Sequence, residues 1–238
     1  MRIVTKAMLG FGLAIAALAS FAVVTIPGLG ALICPYCFGF ERLQGQLFIE
    51  SRASAHDRNE ILASVDASRQ SVKEFFGAQE SDPRIFVCVT ETCYRRADGG
   101  EGETRGRSLW DRAVLISPRS LDGVVLTHEL THIEFHHRLG LHMRRVPAWF
   151  DEGLAVYVSQ DPRYLASSGS NERCLADSSA PLPVSGFAWL RAIEADASVY
   201  ALAACRVSNW LAEKGGKQAV LDFISRMNAG ASFAGLYR

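Results

Sequence analysis

The chain has no net charge to offer a partner, since its 25 Lys and Arg are matched by 25 Asp and Glu. That balance argues against nucleic acid, or any partner drawn in by the bulk field. No internal repeat or low-complexity tract occurs, so neither a solenoid nor a compositional linker has to be considered. A second CxxC is also missing, and with it the usual second half of a structural zinc knuckle. Long uncharged apolar stretches are confined to one place. From Ala7 to Ile33 there is no charged residue, with Arg2 and Lys6 ahead of the run.

Within that run, Met8–Ile26 has the length of a membrane-spanning helix, and Pro27-Gly28 punctuates its end. Ala17-Leu18-Ala19 offers a small-residue cleavage site, so a cleaved signal peptide competes with an uncleaved anchor. Apolarity continues through Val24 and again over Leu29–Ile33, and the excess length favours the anchor. In either case the remainder is expected outside the cytosol. Residues 1–33 then form the anchor or signal segment, 34–54 a juxtamembrane connector, and 55–238 the folded domain.

Six cysteines, at 34, 37, 88, 93, 174 and 205, suit an oxidising compartment. Cys88–Cys93 is expected as a local clip and Cys174–Cys205 as a tie from a long loop to a helix. Cys34-Pro35-Tyr36-Cys37 has the spacing of a redox pair. Such a pair normally opens a helix in a thioredoxin-like unit, and here it follows the apolar segment instead. A structural disulfide or unpaired thiols is the preferred reading.

Periodicity places an amphipathic helix over Ala55–Phe76, closed by Gly77. Ile85–Val89 and Ala113–Ser117 read as strands, and Asp98–Gly106 as a Gly-rich loop. A helix is expected from about Leu121 to Leu139, capped by Ser120 or Asp122 and stopped by Gly140. Pro147 suits the start of the next helix, about Ala148–Gln160. Asp161–Gly186 reads as loop, and two helices follow near Val199–Lys214 and Lys217–Met227. The order describes an α+β domain with a small sheet and a helical second half.

One motif carries chemistry. His128-Glu129-Leu130-Thr131-His132 falls inside the helix expected from Leu121, and residues four apart there project from one face. Two neutral imidazoles on a face can hold one zinc ion, with Glu129 beside them as a base acting on water. Pro147-Ala148-Trp149-Phe150-Asp151-Glu152-Gly153-Leu154-Ala155 places a glutamate on the following helix. Small residues at 153 and 155 permit that helix to pack closely. Glu152 would complete a His₂Glu set with an open position.

HExxH followed by Trp-x-x-Glu-Gly-Leu-Ala resembles the gluzincin metallopeptidases, specifically peptidase MA-like members, over about half the chain. The resemblance implies a zincin-like fold with a small, mostly antiparallel sheet. It implies one Zn2+ per chain held by His128, His132 and Glu152, with Glu129 as general base. It also places a cleft-facing tyrosine at Tyr200, which would stabilise the oxyanion, with Tyr164 as runner-up. Tyr157, about 140° around the helix from Glu152, should face away.

Alternatives fit less well. A metzincin needs histidine at 138 and glycine at 135, where Arg138 and Phe135 stand. His136 lies one turn too far along to share a tetrahedral site, and it reads as a neighbour of the ligands or a partly exposed residue. His137 and His142 read as surface. Asp151 reads either as a hydrogen-bond partner of a ligand histidine or as a helix-start carboxylate. The strand over Val114–Ser117, flanked by Trp110 and Arg119, is a candidate edge for an extended peptide.

The expected function is an exported, membrane-anchored zinc metallopeptidase acting on peptides or proteins of the cell envelope. The competing reading is a non-catalytic envelope scaffold retaining the fold, and the intact Glu129 argues against it. A zinc hydrolase of non-peptide bonds is a third reading.

Overall fold

A computed structural model describes residues 27–100, 104–109, 111–170, 172–177 and 179–238. Met8–Ile26, the expected membrane span, lies outside them, as does Trp110. Among the described residues no helix is long and apolar enough to cross a membrane.

The sheet begins earlier than the sequence suggests. A short helix α1 (Pro27–Ile33) and a 3-10 turn (Pro35–Phe38) lead into β1 (Phe40–Gln44) and β2 (Leu47–Glu50). The region expected as a connector therefore supplies an antiparallel hairpin. Helix α2 (Ala55–Phe76) follows, started by a capping box in which the Ser54 hydroxyl accepts from the Asp57 amide and Asp57 accepts from the Ser54 amide. Next come β3 (Arg84–Val87), α3 (Glu91–Arg96), β4 (Gly106–Leu109) and β5 (Ala113–Ile116).

These strands form one five-stranded sheet in the order β1-β2-β3-β5-β4. The β1–β2 and β4–β5 pairs are antiparallel, while β2–β3 and β3–β5 are parallel. The sheet is thus mixed rather than mostly antiparallel. Parallel neighbours need a crossover, and α2 provides one between β2 and β3. The candidate peptide edge also moves. Strand β5 is paired on both sides, so β4 is the edge.

Side chains alternate cleanly across the sheet. Leu47, Ile49, Ile85, Val87, Val114 and Ile116 enter the main core with the large helices. Phe48, Phe86, Ala113 and Leu115 enter a second core with Phe40, Ala31, Tyr94 and the Cys88–Cys93 pair. With both faces covered, the central strands read as continuous apolar runs.

The second half is helical. Helix α4 (Val124–Leu139) is followed by a 3-10 stretch (Gly140–Arg145) and α5 (Ala148–Ser159). Then come α6 (Gly186–Ala195), α7 (Val199–Lys214), α8 (Lys217–Asn228) and α9 (Phe233–Tyr237). Neither Ser120 nor Asp122 occupies the cap of α4. Gly123 does, at φ 85°, while Asp122 Oδ1 accepts from the Val124 amide. A Cβ on Gly123 would lie 2.7 Å from Ser64 Oγ, so close contact with α2 requires glycine there. The loop after α5 is tied to α7 by Cys174–Cys205, as expected.

Candidate metal centre

Helix α4 presents His128 and His132 on one face, and α5 crosses it with Glu152 projecting toward them. His128 Nε2 lies 3.0 Å from His132 Nε2. Glu152 Oε2 lies 3.3 Å from the first and 3.5 Å from the second. A zinc ion with nitrogen and oxygen ligands at about 2.0–2.1 Å in a tetrahedron spaces them about 3.3 Å apart. The three donor atoms have that spacing and that chemistry, so this set could hold such an ion.

The approach of α7 to α5 has a local cause. A Cβ on Gly153 would fall 2.5 Å from the carbonyl oxygen of Ala203 and 2.8 Å from Val207. Glycine next to Glu152 lets α7 lie directly on α5. This contact carries Tyr200, one turn before Ala203, to the rim of the site. Its ring centroid is 6.5 Å from that of His128, and it stacks on Tyr164 at 5.0 Å. Tyr157 faces away, packed on Phe75 under the Arg173 guanidinium.

Glu129 points into a cleft of about 280 Å³ shared with His128, Tyr164, Tyr200, Arg105, Asp161 and Arg163. The edge strand β4 passes over it, for a Cβ on Gly106 would sit 2.5 Å from Val125 and 3.4 Å from Glu129 Cγ. Removal from water raises the Glu129 pKa, and the charge of Glu152 adds to this, against the histidines nearby. Burial also raises the Tyr200 pKa, reinforced by Glu152 and Glu129, so its hydroxyl stays protonated. Asp161 is buried and forked by the Arg163 guanidinium, which fixes the wall of the cleft.

Behind the donors runs a chain of hydrogen bonds. His132 Nδ1 donates to Asp151 Oδ1 at 2.9 Å, leaving Nε2 aimed at the donor set. Asp151 Oδ2 accepts from His136 Nε2 at 2.8 Å, and His136 Nδ1 lies 2.9 Å from Asp111 Oδ1. With a carboxylate at each ring nitrogen, His136 donates from both and is an imidazolium. Burial works against that charge, but Asp151 and the hydrogen bonds push its pKa up to about 9. Burial is likewise outweighed at Asp151, whose carboxyl is held far below its usual range by His132 and His136.

Asp151 thus bonds to His132 and also stands in the first turn of α5, so both readings of it are met. His136 lies outside the His128, His132 and Glu152 set, and together with His132 and Asp151 it forms a second group whose donor atoms lie close enough to hold a metal ion. His137 is exposed and His142 partly so. Arg119 pairs with Glu91 at 2.7 Å. Asp111 is a residue that sequence reasoning missed. It sits at φ 54° in the turn between β4 and β5, a left-handed position that Asp tolerates. Its polar turn signal was present, but its pairing with His136 is long-range.

No protein-family model, curated protein or solved structure matches this chain. Its function therefore has to be argued from the site itself.

Proposed function

We propose that this chain is a zinc metallopeptidase with a zincin-like domain of the gluzincin type, exported and anchored through its N-terminal segment. The supporting observation is the convergence of His128 Nε2, His132 Nε2 and Glu152 Oε2 beside the Glu129 carboxylate, in a cleft bordered by a strand edge. All six cysteines are paired, which favours a location outside the cytosol. The substrate class is a peptide or protein of the cell envelope.

In this reading His128, His132 and Glu152 would hold one Zn2+, which would supply Lewis acidity and lower the pKa of a water toward about 7. Asp151 holds the His132 ring through Nδ1, which leaves Nε2 beside the other two donors. The Glu129 carboxylate takes a proton from the attacking water and passes it to the leaving nitrogen, and its raised pKa brings it closer to that task. The Tyr200 hydroxyl donates to the oxygen on which negative charge develops. The edge strand β4 aligns an extended peptide as an added strand over Glu129.

The deciding experiment uses the purified full chain. It should bind one zinc per molecule, and Glu129→Gln should keep that zinc while peptide hydrolysis falls about 10²–10⁴-fold. A comparison of envelope proteomes from cells carrying the two forms then identifies substrates. A chain that binds no zinc, or an undiminished Glu129→Gln variant, refutes the reading.

A further inference from the structure

The three disulfides are not equivalent. Cys88 and Cys93 are buried in the second core beside Tyr94. Cys174 and Cys205 close a sequence separation of 31, with Cys205 buried. Cys34 and Cys37 are only three apart, in the turn after α1, and Cys37 is exposed. Constraint of the unfolded chain grows with loop length, so this bond contributes least to holding the fold. It is also the one that solvent reaches most readily.

The turn is anchored without its sulfurs. Ala31 is buried ahead of it, and Pro35 within it is buried as well. The Arg84 guanidinium donates to the Leu32 carbonyl, and Arg96 donates to the Phe38 carbonyl. Cys34 N–H bonds to Gly30 O, and Gly39 N–H bonds to Tyr36 O in a left-handed cap. Opening the disulfide therefore leaves both flanks of the turn in place. The two guanidiniums thus hold the backbone on either side of the pair. Ile33 and Tyr36 stand exposed at 60% and 64%, an apolar shoulder beside the reactive sulfur.

We propose that Cys34–Cys37 is a thiol–disulfide exchange site for cysteine thiols of polypeptides, separate from the metal centre. An incoming thiolate attacks Sγ of the exposed residue Cys37, the S–S bond breaks, and its electron pair leaves on Cys34 Sγ. A second external thiolate attacks the external sulfur of the mixed disulfide and releases Cys37. Two external thiols become one disulfide, and the Cys34/Cys37 pair takes up two electrons and two protons. Run in reverse, the same steps reduce a polypeptide disulfide. This function does not depend on the peptidase reading.

The test places the full chain in graded buffers of reduced and oxidised glutathione, a peptide thiol, followed by acid quench, alkylation and peptide mapping. Cys34 and Cys37 should become alkylated while Cys88–Cys93 and Cys174–Cys205 stay closed. In the oxidised buffer, Cys34→Ser should acquire glutathione on Cys37 about tenfold faster than Cys37→Ser acquires it on Cys34. Either bond of the other two opening first, or equal adduct rates in the two variants, overturns the proposal. The wild-type mapping carries the result even if a variant fails to fold.

Discussion

The two sides of helix α4 bury charge in opposite ways. On the cleft side, His128, His132 and Glu152 direct their donor atoms at one another, and Glu129 stands beside them with one face toward the cleft. On the far side, Glu134 is fully buried and saturated. It accepts from the Glu80 and Ser81 amides, from Ser81 Oγ at 2.7 Å and from Arg138 Nε at 2.6 Å. A buried charge with every lone pair answered holds structure together. Buried groups that face each other with spare donor capacity are arranged for a ligand. Cavity size does not make this distinction. A second cleft beside His136 and His137 measures about 550 Å³ against about 280 Å³ for the one holding Glu129. The disposition of donors picks out the smaller.

The comparison is sharpened most by Tyr200, which stands on the cleft side and whose role should appear only in turnover. Tyr200→Phe keeps the ring that stacks on Tyr164 and meets Trp189 edge-on at 5.4 Å, and it removes the hydroxyl alone. Loss of an oxyanion donor costs about 10²–10³ in kcat. Zinc content and thermal stability should stay at wild-type values while kcat falls by that factor and KM changes little. If Tyr164→Phe gives the loss instead, the oxyanion role passes to the loop tyrosine, because both line the cleft.

The two sides also differed in how well they could be read from sequence. His128, Glu129 and His132 share one helical turn, so local periodicity suffices to bring them together. Glu152 required a second helix and the inference that Gly153 permits close packing, but the close contact at Gly153 is with Ala203 of α7 and not with α4. The far side was illegible, because Glu134 and Ser81 are 53 residues apart and neither carries a motif. The sheet shows the same division. Strand β5 is apolar throughout and β3 is apolar after Arg84, so both announce themselves. In β1, Phe40-Glu41-Arg42-Leu43-Gln44, two adjacent charges break any period-two apolar pattern. Strand β4 starts at Gly106, the last residue of the expected Gly-rich loop, and its Arg-Ser-Leu carries no strand pattern. Pairing direction depends on which strands a crossover joins, which no local pattern reveals, and so the sheet emerged mixed.

His136 sits where the two sides meet, and replacing it tests whether the cleft side depends on support from behind. His136→Gln removes the cation that holds Asp151 Oδ2 and breaks the link to Asp111, while leaving all three donor residues in place. Removing such outer partners costs about 10–100-fold in metal affinity. Zinc affinity measured by competition with a chelator should fall by that range. Asp111→Asn should lower it less, since Asp111 is partly exposed and one bond further from His132. An unchanged affinity in His136→Gln would mean that Asp151 needs nothing behind it.

The smallest effect on the candidate metal centre belongs to Glu134, and there the contrast between the two sides can be broken. Glu134→Gln puts an amide NH₂ among donors that all face a carboxylate, and it weakens the tie to Arg138. Arg138 still reaches the Ala78 carbonyl and Glu80, so the cost should be near the about 1.5–3 kcal/mol of a hydrogen bond to a charged group. Burial alone would raise the Glu134 pKa, but the amides, the Ser81 hydroxyl and Arg138 outweigh it and lower the value. A carboxyl with a depressed folded pKa contributes stability above its unfolded pKa of about 4.3 and loses it as pH falls through the folded value. Denaturant unfolding at neutral pH should therefore separate wild type from Glu134→Gln by the full amount. As pH falls below about 4.3 the gap should narrow, and it should close only once pH is below the lowered folded value. Zinc affinity should be unaffected at neutral pH, because Glu134 faces away from the donors on the same helix. A gap that persists unchanged into acid would show that the carboxylate's charge does not stabilise this side. A coupled loss of zinc would show that the two faces of α4 are not independent.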